Sequence, residues 1–135
     1  MSSHQTRYRV IYGDTDRMGI AYHANYLRWF EIGRSEMFRD LGMPYAEIER
    51  RGIFLPVSEA FCKFQSPAHY DELIIIETVL DPAIRAGMKL DYTLTAEADR
   101  RPLARGYTRH AFVDADGRVV RPPLFLTGII RTARE

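Results

Sequence analysis

A single long stretch of helical spacing precedes a run of segments that alternate every second residue, and that order leaves few architectures open. From Ala24 onward Leu27, Phe30, Met37 or Phe38, and Leu41 fall on one helical stripe, which Tyr26, Trp29 and Gly33 widen. Arg28, Glu31, Ser35 and Arg39 take much of the opposite side, and Glu36 stands three residues before Arg39, a spacing that permits an ion pair. Gly42 predicts the helix end, since the residue after a helix often needs a positive φ, and Pro44 cannot continue it. A shorter helix is expected over residues 45–51, stopped by Gly52.

Past Gly52 the period becomes two. Strands are expected over residues 53–65, 73–80, 88–97 and 103–113, with turns at Ser66-Pro67-Ala68, Asp81-Pro82 and Asp114-Ala115-Asp116-Gly117. The third is the cleanest: Leu90, Tyr92, Leu94 and Ala96 alternate with Lys89, Asp91, Thr93 and Thr95. Val119 and Val120 begin a short last strand, and residues 126–135 carry no assignable pattern. Ahead of the helix, Tyr8, Val10 and Tyr12 alternate with Arg7, Arg9 and Ile11 in a first strand over residues 7–12. Consecutive strands with one segregated helix predict an α+β fold, an antiparallel sheet wrapped around one long central helix. One sheet leaves the helix's other side poorly covered, so a second copy is expected there.

At 135 residues one domain, 1–135, is expected, able to bury roughly two-thirds of its unfolded surface. A net charge of +1 gives no general field for nucleic acid or anionic lipid. One cysteine, Cys62, excludes an intrachain disulfide and suits a reducing compartment. The opening MSSHQTRYRV has no apolar signal-peptide core, and the longest aliphatic run, 73–76, is far too short for a membrane span. A cytoplasmic protein without a membrane span is the expectation.

Chemistry concentrates between Tyr12 and Glu31, in YGDTDRMGIAYHANYLRWFE. Two carboxylates, Asp14 and Asp16, and one histidine, His23, stand just before the helix, and buried acids without partners cost stability. Asp14 reads as a turn residue, its side chain bonding nearby backbone N–H groups. The Asp14-x-Asp16 pair fails as a calcium loop, because Met18 stands where the next ligand belongs. His4, His23, His69 and His110 show no zinc spacing, so neither metal nor cofactor is expected.

The same stretch, with Gly52-Ile-Phe-Leu-Pro-Val57 and Pro67-Ala-His-Tyr-Asp-Glu-Leu73, resembles the hotdog-fold acyl-CoA thioesterases, nearest the 4-hydroxybenzoyl-CoA thioesterase and YbgC-like group. The resemblance runs from Arg7 to Arg121. It implies an acyl-CoA substrate and makes the second acid, Asp16, the catalytic carboxylate. It puts the oxyanion donor at the backbone N–H of His23, and a histidine side chain there matches the YbgC-like branch. Tyr22, Asn25 and Tyr26 become candidates for substrate contact. Arg85 and Arg121, on neighbouring loops, become candidates for the coenzyme A phosphates. The family also implies a homodimer or a dimer-of-dimers tetramer with its site between subunits, and leaves an acyl carrier protein open as partner. The turn 84–88 lacks the serine and aromatic pair of some members, and LFLTGIIRTARE matches none of the family's elements.

Overall fold

The computed structural model describes residues 3–134. Five antiparallel strands form one sheet: β1 (Ser3–Arg9), β2 (Val57–Phe64), β3 (Leu73–Leu80), β4 (Met88–Ala96) and β5 (Pro102–His110). Their spatial order is β1-β3-β4-β5-β2, so β1 and β2 are the two edges. The long helix α1 (Asn25–Asp40) lies across the inner face, a short α2 (Tyr45–Arg50) follows it, and α3 (Leu124–Arg134) ends the described chain. The expected sheet around one central helix is what forms.

Burial of α1 explains its position. Tyr26, Trp29, Phe30, Gly33, Met37 and Phe38 are buried, whereas Leu27 is 44% exposed. The buried stripe is thus rotated from the one read through Leu27 and Leu41, because the aromatic side chains, which hide the most apolar area, take the sheet side. Phe30 stacks on Tyr92 of β4 with centroids 4.3 Å apart. At Gly33 an added Cβ would collide with Thr78 Oγ1 and Ile76 Cγ2, so glycine is what lets the helix touch β3.

Strand boundaries differ from the alternation at several places: β5 stops at His110 rather than 113, and Val119 makes only an isolated bridge to Val113 in place of a last strand. β1 starts earlier and ends at Arg9; Val10 donates to the Glu72 carbonyl at 2.9 Å, and the chain then makes a 3-10 turn at Tyr12–Asp14. β2 begins only at Val57, since Pro56 lacks an N–H for the ladder and Phe54 instead bridges Val113. The unassigned tail is helical: Leu126, Ile130 and Ala133 are buried, and α3 packs against β3.

Candidate active site

The loop before α1 is built on Asp14. Its carboxylate is 1% exposed; Oδ2 accepts the Tyr8 hydroxyl at 2.8 Å and the Ile11 N–H at 3.0 Å, and Oδ1 faces Arg28 at 3.3 Å. The Asp14 carbonyl accepts the Tyr22 N–H and the Asn25 side-chain amide, each at 2.8 Å. Asn25 Oδ1 in turn accepts from Arg28 at 3.0 Å. Both ends of the Asn25 amide are thus engaged within the chain, tying the loop to the first turn of α1.

Asp16 stands differently. A tight turn closes over it, with the Asp16 N–H on the Ile20 carbonyl at 2.9 Å and the Gly19 N–H on the Asp16 carbonyl at 3.0 Å; Gly19 supplies the positive φ of 79°. One carboxylate oxygen accepts the Met18 N–H at 2.8 Å. The other has no hydrogen-bond partner among the described residues.

The helix start supplies donors. Asn25 and Tyr26 give their N–H groups to the carbonyls of Tyr22 and His23, while no side chain caps α1. Among the described residues the N–H groups of His23 and Ala24 make no hydrogen bond. They sit at the positive end of the helix dipole, where a developing negative charge is stabilised.

A cavity of about 360 Å³ opens beside these groups, walled by Ile20, Ala21, His23 and Tyr26 on one side and by Phe64 and Pro67 on the other. Phe64 meets Tyr26 edge to face at 4.9 Å and His23 at 6.2 Å. Tyr22 is exposed and packs on the His23 ring at 4.4 Å. The Ile20 wall is the far end of the Asp16 turn, so Asp16 is tied to the cavity through its backbone bond to Ile20, and His23 lines the cavity directly. Phe64 was not singled out by the sequence, although it closes the strand one residue short of Ser66-Pro67.

Arg85 and Arg121 line another cavity, of about 540 Å³, with Gly87, Arg109 and His110. Arg85 donates to the Pro82 carbonyl, and Arg109 is paired with Glu59 at 3.3 Å. His110 belongs to a buried chain. Its Nδ1 lies 3.0 Å from the Leu55 carbonyl and must donate there, so Nε2 accepts the Thr108 hydroxyl at 2.8 Å, which accepts from Tyr92 at 2.7 Å. Burial, aided by Arg34 and opposed by the Leu55 bond, lowers the His110 pKa from 6.5 to about 4. Among the described residues no three metal-binding side chains gather, and no helix is long and apolar enough to cross a membrane.

Known proteins resemble this chain in sequence and fold. YneP of Bacillus subtilis, provisionally named an acyl-CoA thioesterase, is 42% identical over 72 residues, a match spanning 53% of this chain and only 52% of that protein. A protein of Aquifex aeolicus provisionally named an esterase is 31% identical over 117 residues, 87% of this chain and 89% of its own. The structure of a 1,4-dihydroxy-2-naphthoyl-CoA thioesterase from Synechocystis superposes with a TM-score of 0.89 over 99% of each chain at 18% identity, which shows a common hotdog fold. The model of the thioesterase-like superfamily matches residues 10–130, and the chain belongs to that superfamily.

Proposed function

We propose that the chain, as one domain over residues 1–135, hydrolyses acyl-CoA thioesters to the free acid and coenzyme A. The observation that carries this reading is the unengaged N–H of His23 at the start of α1, beside a cavity that His23 lines and whose Ile20 wall is hydrogen-bonded to Asp16, which keeps one carboxylate oxygen free. A thioester is already activated, and its thiol leaves with a pKa of roughly 8.5, so the site needs a nucleophile and an oxyanion donor more than an acid. Asp16 either attacks the carbonyl carbon, giving a mixed anhydride that water then hydrolyses to the free acid and the regenerated carboxylate, or takes the proton of an attacking water. In both routes the C–S bond breaks as the oxyanion held by the His23 N–H collapses, and the thiolate leaves with coenzyme A. The His23 ring, Tyr22 and Tyr26 border the acyl group.

The reading extends to a homodimer, or a dimer of two such pairs. β2 is an edge strand whose Val57, Phe61 and Phe64 are 46%, 43% and 49% exposed, a ready template for another strand. Antiparallel pairing of β2 with its copy sets the Phe64 end of one protomer beside the Ser58 end of the other. Ser58 lines the larger cavity with Arg85 and Arg121. Those two arginines then face the partner's thioester site and are suited to the coenzyme A phosphates. A single unpaired cysteine fits the cytoplasm as the site of action.

The test is thiol release from a panel running from acetyl-CoA to palmitoyl-CoA, with benzoyl-CoA, 4-hydroxybenzoyl-CoA and an acyl carrier protein thioester. Cys62 interferes little, because burial pushes its thiol up to about 11, and a blank without substrate removes the rest. Release over many turnovers is expected. Acyl-CoA bound intact, with no release across the panel, would make the protein a binding scaffold instead.

A further inference from the structure

Ser66 and Pro67 wall the smaller cavity, and the segment 66–72 is held to the sheet by backbone bonds at its two ends, Ser66 to Leu103 and Asp71 and Glu72 to Val10, and by one ion pair. Arg101, between β4 and β5, sets Nη2 2.8 and 2.9 Å from the two Glu72 oxygens and 3.2 Å from the Pro67 carbonyl. Glu72 Oε1 also accepts the His69 backbone N–H at 2.8 Å, with His69 Nδ1 at 3.3 Å. Asp99 steadies the guanidinium from its other side at 3.1 Å. The Glu72 and Arg101 side chains are only 24% and 29% exposed, so solvent screens the pair less than a surface bridge. Burial alone raises the Glu72 pKa, but the Arg101 and His69 hydrogen bonds outweigh it and hold the carboxyl below its ordinary value.

The clamped segment carries the catalytic loop in turn. The Ala68 carbonyl accepts the Ala21 N–H at 2.8 Å, Ile20 pairs with His69, and the Ala68 N–H reaches the Tyr26 hydroxyl at 3.3 Å. Ile20 closes the Asp16 turn, and Ala21 leads directly into Tyr22 and His23. We propose that Glu72 and Arg101 are positioning residues: they fix residues 67–69, against which Ile20 and Ala21 lie, and thereby set the Asp16 carboxylate relative to the His23 N–H. This rests on the thioesterase reading above. Misplacement of reacting groups by about 1 Å costs on the order of a hundredfold in rate.

Arg101→Met removes the clamp without adding a charge, and Arg101→Lys keeps the charge but loses the fork to Pro67. For Arg101→Met kcat is expected to fall roughly ten- to a hundredfold with KM within about twofold; Arg101→Lys recovers part of it. Amide hydrogen exchange supplies a readout independent of turnover: the Ala21 N–H exchanges faster in Arg101→Met, while β4 amides such as Leu90 do not change. Unchanged kcat, unchanged Ala21 exchange, or equal acceleration across β4 would each overturn the proposal. If the wild-type protein turns over no thioester, the hydrolytic reading fails by itself, and Ala21 exchange alone decides whether the clamp exists.

Discussion

Two aspartates two residues apart do opposite work. Asp14 spends its carboxylate on Tyr8, Ile11 and Arg28, whereas Asp16 keeps one oxygen free. Asp14→Ala leaves the part-buried Tyr8 hydroxyl and the Ile11 N–H without this acceptor, so urea unfolding should show a loss of about 1–2 kcal/mol. His110 offers a pH signature. Its folded pKa of about 4 lies below the ordinary 6.5, so the unfolded chain binds the proton first as pH falls. Stability is therefore full above about pH 6.5 and declines toward pH 4, by roughly 3 kcal/mol in total. Unfolding curves across that range should flatten in His110→Gln. The motif around Asp14, Asp16 and His23 was legible because its residues are local in sequence. The Glu72–Arg101 contact, 29 residues apart, and the Tyr92–Thr108–His110 chain were not, because such pairs exist only once β3, β4 and β5 are in register.

At the scale of elements, period and punctuation located α1, α2, β3 and β4 nearly to the residue. Alternation tells which face a strand buries but not which strand lies beside it. Hence β2, first of the four in the chain after the helices, pairs with β5, the last, which no spacing announced. The tail escaped for another reason: Leu126, Ile129, Ile130 and Ala133 stand at helical spacing, but Gly128 inside so short a run weakens that signal. The contact between α1 and β3 is tight enough to test. Gly33→Ala puts a methyl against Thr78 and Ile76 and should cost about 1–3 kcal/mol in denaturant unfolding, despite alanine's better helix propensity. Leu27→Gln, on the exposed side, should stay within about 0.5 kcal/mol.

Across the whole molecule, the proposed reading divides a thioester site into two halves that one protomer holds at opposite ends of β2. His23, Tyr26 and Phe64 border one cavity; Arg85 and Arg121 border the other. Joining two β2 edges brings unlike ends together, so activity should follow assembly. Phe61→Lys places like charges across that seam, and sedimentation should show a smaller particle with a raised KM for acyl-CoA. A variant that stays assembled with wild-type KM would remove β2 from the seam.

The most direct measurement compares thiol release by the wild-type protein and Asp16→Asn on the best acyl-CoA of the panel, with acyl-CoA binding and melting temperature followed alongside. The account predicts a fall in kcat of roughly 100- to 10,000-fold in a variant that melts and binds like the wild type. Turnover within a few-fold of wild type would contradict it and take the reaction's carboxylate away from Asp16.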